Sequence, residues 1–122
     1  MRIVISVAMA LSVQAAVHAE EPSVRGAPPE VLASQTCQEH FVQRALPAYP
    51  KKAMQARLSG YVVATYDLDG SGKAQGIQII ESQPTSAFDA AALEALQRSE
   101  FKPRSQATGC RYVVDFAMVR RR

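Results

Sequence analysis

Between Gly60 and Ser82 the chain alternates, turns and alternates again. Val62, Ala64, Tyr66 and Leu68 interleave with Tyr61, Val63, Thr65 and Asp67. That is the period of a strand with one apolar face and one mixed face. Asp69-Gly70-Ser71-Gly72 comes next, a run that tolerates positive φ and so reverses the chain. Ala74 to Ser82 reads as the antiparallel return strand, carrying Ile77, Ile79 and Ile80. The adjacent isoleucines break strict alternation, which a bulge or burial on both faces accommodates. An apolar sheet face must be buried against another element, so this hairpin dictates what the flanking segments do.

The segments that supply the cover are legible too. Ser86 to Arg98 is a helix: Phe88, Ala92, Ala95 and Leu96 form one stripe, and Pro103 bars its continuation. Ser86 with Asp89 three residues on resembles a capping box. Gly109 to Val119 reads as the last strand, with Tyr112, Val114, Phe116 and Met118 on one side and Arg111, Val113, Asp115 and Ala117 on the other. Upstream, Thr36 to Ala45 reads as a short helix carrying Phe41 and Val42, and Lys51 to Arg57 as another, started by Pro50 and ended at Ser59-Gly60. The fold class is therefore α+β, a three-stranded antiparallel sheet packed by one long helix, with a short helix before it. The last strand is expected to leave a sheet edge open.

Residues 1–19 read as a signal peptide. Arg2 gives the positive start, Ile3 to Val17 the apolar run, and Val17-His18-Ala19 a cleavage site before Glu20. The run is shorter than the about 20 residues a spanning helix needs. The expected location is the periplasm; an uncleaved segment anchoring the chain in the inner membrane is the alternative. Residues 20–35, with Pro22, Pro28, Pro29 and Gly26, read as a flexible arm, and residues 36–122 as one domain. Export favours oxidation of the two cysteines, Cys37 and Cys110, to a bridge. Free thiols and a metal site built on Cys37 and His40 are the other options, although zinc wants four ligands.

Several functions are disfavoured. A net charge of +3 is too small to argue for nucleic acid. Asp67 to Gly72 imitates the start of a calcium loop, but the twelfth position is Gln78 in place of a bidentate glutamate. His40 is the one histidine after the leader, no nucleophile elbow is present, and Gly70, Gly72 and Gly76 lack a phosphate-loop setting. No enzymatic activity, metal or cofactor is expected. Arg120-Arg121-Arg122 reads as a solvated tail.

An ordered set of short motifs resembles a known family. Pro47-Ala48-Tyr49-Pro50, Ala53 and Gly60-Tyr61-Val62 look like the opening of the TonB carboxy-terminal domain. Tyr66-Asp67-Leu68-Asp69 with Gly72 is similar to its hairpin, and Ser82, Phe88-Asp89, Ala91-Ala92-Leu93 and Phe101-Lys102-Pro103 resemble its helix and exit. The resemblance covers Leu46 to Val119. Leu46 stands where the family has Gln, and Ser99-Glu100 where an aromatic is common. The resemblance implies capture of an extended peptide of an outer-membrane receptor as an added strand, in TonB-dependent transport. The implied binding residues are Tyr49, Arg111, Tyr112, Val113, Val114, Asp115, Phe116 and Ala117. A free periplasmic adaptor or envelope-assembly protein is the alternative, and an amino terminus at Glu20 separates the two. An open edge also permits a homodimer.

Overall fold

The structure, a computed structural model, describes residues 26–117. The expected leader, the start of the expected arm, Met118, Val119 and the three closing arginines lie outside the described residues. In chain order the elements are α1 (Pro29–Leu32), a 3-10 turn (Gln38–His40), β1 (Phe41–Gln43), α2 (Lys51–Gln55), β2 (Gly60–Asp69) and β3 (Ala74–Gln83). A second 3-10 turn (Ser86–Phe88), α3 (Asp89–Arg98), β4 (Glu100–Phe101) and β5 (Gln106–Phe116) complete the chain. The main sheet has the order β3-β2-β5, antiparallel throughout; β1 and β4 form a separate pair.

The alternation in β2 decides the two sides of this sheet. Val62, Ala64, Tyr66 and Leu68 meet Cys110, Tyr112, Val114 and Phe116 of β5 on the face that Phe88, Ala92 and Leu96 cover. The 3-10 turn before α3 is capped by Thr85, whose Oγ1 accepts from the Ala87 N–H at 3.2 Å. The expected Ser86–Asp89 box is absent, because the Asp89 carboxylate instead accepts from the Ser82 hydroxyl. Ile80 is skipped in the register, which passes from Val63↔Glu81 to Ala64↔Ile79, so the paired isoleucines do mark a bulge.

Four expectations need correction. The arm reads as flexible, yet residues 26–35 lie on the sheet. Ala27, Val31 and Leu32 pack on Tyr61, Val63 and Val113, the face opposite α3. That face holds three large side chains, and leaving them in water would cost about 1.5–3 kcal/mol each. Thr36–Ala45 is not a helix. Phe41 pairs with Phe101, ring centroids 4.4 Å apart, and this tertiary contact overrides a weak local preference. Pro50 is the cap of α2, not its first residue, and Arg57 takes the left-handed position after it at φ 55°. The last strand begins at Gln106, ahead of Gly109. The register jumps between Tyr66↔Cys110 and Leu68↔Ala107, and Gly109 absorbs the bulge at φ 64°.

The departures from the family pattern cost little here. Leu46 is 83% exposed, so its side chain does not affect the core. Ser99 is buried and satisfied: its hydroxyl donates to Ala95 O at 2.8 Å and accepts from the Ala45 N–H at 3.0 Å.

One feature of the core is unusual. The hydroxyls of Tyr66 and Tyr112 are buried with no hydrogen-bond partner among the described residues. Burial pushes the Tyr66 hydroxyl up to about 12, against a partial pull downward from Arg44. A folded-state value above the unfolded one means stability is fully present below pH 10 and is lost as pH rises towards 12. The loss is of the order of 2–3 kcal/mol. Tyr66→Phe removes the orphaned hydroxyl, so its stability at pH 7 should match the parent or exceed it by about 1–2 kcal/mol. Urea melts at pH 7 and pH 11.5 check both; a parent whose alkaline decline is as shallow as the variant's refutes the assignment.

Candidate peptide-receiving edge

The ladder between β2 and β5 decides which β5 groups can meet a partner. Antiparallel residues alternate between bonding inward and outward. Ala64↔Tyr112 and Val62↔Val114 sit between Thr65↔Arg111, Val63↔Val113 and Tyr61↔Asp115. The backbone groups of Arg111 and Val113 turn away from β2, as their partners show. The Thr36 N–H donates to Arg111 O at 3.0 Å. The Arg111 N–H donates to Thr36 Oγ1 at 2.8 Å, and the Val113 N–H to Gln35 Oε1 at 3.3 Å. Arg44 Nη2 donates to Val113 O at 2.9 Å. Among the described residues, the outer backbone groups of Asp115 have no such cover.

The eight residues named from sequence therefore divide. Arg111, Val113 and Asp115 present outward ladder groups, and Ala117 lies just past the strand end. Tyr112, Val114 and Phe116 do not present them: their side chains are core, each 5% exposed or less, and their backbones pair with β2. A period of two forces this division, since one strand cannot turn consecutive residues to the same edge. Tyr49 is no edge residue either. Its hydroxyl donates to Leu58 O, and its ring makes T-shaped contacts with Phe88 and Phe116, centroids 5.6 and 5.8 Å apart. It stabilises the end of β5 from beneath.

Cys37 and Cys110 form the bridge, with Cα atoms 5.6 Å apart. That spacing is close to the ~5.5 Å of a bonded antiparallel pair. It places Thr36 opposite Arg111, one residue along each chain. Gln35, Thr36 and Arg44 are the edge residues that sequence reasoning missed. The signal was there for Thr36: a cysteine pair between neighbouring segments puts their flanking residues in register. Arg44 had no such signal, because its guanidinium reaches over the Tyr112 ring, 4.7 Å from the centroid, only once β1 is seated on β4.

Asp115 carries a second task. Its Oδ1 accepts from the Gly26 and Ala27 N–H groups at 2.6 and 2.9 Å, which pins the arm to the strand. The acidic residues of the hairpin are likewise engaged by backbone: Asp67 Oδ1 accepts from the Gly109 N–H, and Asp69 Oδ1 from the Ser71 N–H. The bonds to Ser71 hold the Asp69 carboxyl below its usual range.

Residues 45–118 match the family described as Gram-negative bacterial TonB protein C-terminal. Protein TonB of Klebsiella pneumoniae is 26% identical over 77 residues, 63% of this chain and 32% of that protein. Protein TonB of Escherichia coli K12 is 26% identical over 68 residues, 56% of this chain and 28% of that protein. The match thus spans less than a third of the length of these relatives. Among solved structures, the solution structure of the Pseudomonas aeruginosa TonB carboxy-terminal domain superposes with a TM-score of 0.60 at 25% identity, covering 67% of this chain and 88% of that one. The TonB2 protein from Vibrio anguillarum shares the fold, with a TM-score of 0.54 at 24% identity over 64% of this chain and 85% of that one. With its α+β sheet, its helix and the family match over residues 45–118, this chain belongs to the TonB carboxy-terminal domain family.

Proposed function

We propose that the chain is a periplasmic, non-enzymatic TonB-like protein that binds an extended peptide of an outer-membrane receptor by strand addition, in TonB-dependent transport. The observation that carries this is the outer side of β5. It is a sheet edge whose ladder groups at Arg111 and Val113 are met by one backbone group and by side chains, not by another strand. A strand laid there gains main-chain bonds, and alternate side-chain positions supply specificity. Family membership supports the same partner class.

Asp115 offers the sharpest test. Asp115→Pro removes an outward N–H, whereas Asp115→Asn keeps it and alters the side chain. An array of ten-residue peptides from the periplasm-facing segments of outer-membrane receptors serves as probe. Asp115→Pro should weaken capture by about tenfold or more, one lost ladder bond plus local misfit, with Asp115→Asn near the parent. Val113→Pro should act in the same direction. Equal binding by the parent and both proline variants, each confirmed as folded, would exclude strand addition at β5.

A further inference from the structure

We infer that residues Ser34–Thr36 are a resident occupant of the receiving edge of β5, locked there by the Cys37–Cys110 disulfide, and that reduction of this bridge by a dithiol opens the edge. The inference deepens the proposed function and rests on β5 as the capturing strand.

Three observations lead to it. The occupied positions are the ones a captured strand needs: the outward N–H and C=O of Arg111 and of Val113 all have partners, from Thr36, Gln35 and Arg44. The occupant is a poor strand. It makes one backbone–backbone bond, Thr36 N–H to Arg111 O; its other bonds to β5 come from the Gln35 amide and the Thr36 and Ser34 hydroxyls, and the Val113 carbonyl is left to Arg44. Net contributions of about 1 kcal/mol per bond leave such a contact displaceable by a segment with a continuous ladder. The contact is nonetheless enforced, because the bridge makes Thr36 and Arg111 permanent neighbours.

The geometry also confines what moves. Upstream, Ala27, Val31 and Leu32 are seated on the opposite face of the sheet, and Asp115 holds Gly26 and Ala27. Downstream, Phe41 is seated on Phe101. Only the segment between these anchors is free to lift once the bridge opens. Cys37 itself sits at φ 63°, ψ 17°, a left-handed conformation that costs a residue other than glycine about 1 kcal/mol or more. The bridge holds it there, and release allows it to relax. Cys37 is partly exposed while Cys110 is fully buried, so the exchange starts at Cys37.

The chemistry balances. A thiolate of the dithiol attacks the Cys37 sulfur, the Cys37–Cys110 bond breaks, and Cys110 leaves as a thiolate that takes up a proton. The second thiol of the reagent then attacks the mixed disulfide and releases Cys37. Two electrons pass to the cysteines, and the dithiol ends as its cyclic disulfide.

The test uses the full chain, oxidised or reduced with dithiothreitol, and follows amide hydrogen exchange residue by residue. Reduction should lower protection of the Arg111 and Val113 amides by about tenfold or more and leave them about tenfold or more below Tyr112 and Val114, which, bonded to β2, lose no more than the fall in global stability. Unchanged protection at Arg111 and Val113 in verified reduced protein overturns the lock. Equal protection at all four amides in the reduced protein also overturns it, since the bridge would then hold the domain and not the arm. A second readout is binding to the receptor-peptide array. Reduction should strengthen capture by at least about tenfold, because a closed edge lowers apparent affinity by its open fraction. Gln35→Ala with Thr36→Val, which leaves the bridge intact, should strengthen it in the same direction. If Arg111 and Val113 open and no peptide binds either form, strand capture fails while the arm contact stands. If oxidised, reduced and Gln35→Ala/Thr36→Val proteins all bind equally, the arm is no competitor and the inference falls.

Discussion

Phe88→Ala should remove about 3–5 kcal/mol of stability, the range for truncating a fully buried phenylalanine. Phe88 is 0% exposed, stacks on Phe116 at 4.4 Å with 17° between the rings, and makes a T-shaped contact with the Tyr49 ring. The three rings tie together α3, the segment before α2 and the end of β5. A domain of this size has a total of about 5–10 kcal/mol, so the loss takes roughly half of it. Phe116 and Tyr49 would have to collapse into the space to recover part of the cost. Each is fixed elsewhere, Phe116 by its pairing with Gly60 and Tyr49 by its bond to Leu58. Urea denaturation measures the change; a loss below about 1.5 kcal/mol would mean that the three-ring contact does not hold the domain together. Phe88→Leu should recover most of the loss, as a smaller volume change.

Replacing both cysteines, Cys37→Ala with Cys110→Ala, is expected to cost about 4 kcal/mol through loop closure over the 73-residue separation. The thermal midpoint should fall by roughly 15–30 °C, and the variant should remain folded at 25 °C. The expected retention of fold has a structural reason. The bridge joins the arm to β5, whereas the sheet is held by the ladder of β2 with β3 and β5 and by the packing of α3. Differential scanning calorimetry of the oxidised parent and the double variant decides it. A midpoint change of under about 5 °C would mean that the reduced chain already keeps the arm close to β5.

The two expected losses act on different parts of the fold. Phe88 belongs to the face that alternation announces, and its role comes from the helix stripe it shares with Ala92 and Leu96. The bridge lies on that same face, with Cys110 in the cluster and Cys37 packed against it, and the arm before it crosses to the other face, where Ala27, Val31 and Leu32 cover Tyr61, Val63 and Val113. Proline and small residues give residues 20–35 the look of a linker, because composition measures local order and ignores what a segment finds to cover. Tyr61 and Val63 carry the missing signal: a strand with apolar residues on both faces needs two covers.

The candidate site shows the same division. The last strand and its outward set of Arg111, Val113 and Asp115 come from a period of two, which is a local property of the backbone. Which of the two alternating sets turns outward from the sheet is not local. It depends on the register of β5 against β2, and that register passes through the bulge at Gly109. Tyr112, Val114 and Phe116 alternate with that set along the strand, and packing assigns them to the core, with Tyr49 packed against it.

The hairpin, the helix that covers it, the α+β class and the family of residues 45–118 are thus all legible in the order of the residues. These rest on periodicity and turn chemistry, which act between residues a few positions apart. That the edge of β5 is already met by Gln35, Thr36 and Arg44 emerges from long-range packing. Those contacts join positions some 70 residues apart in the chain, and they form because a bridge and a second apolar face bring the arm to the strand.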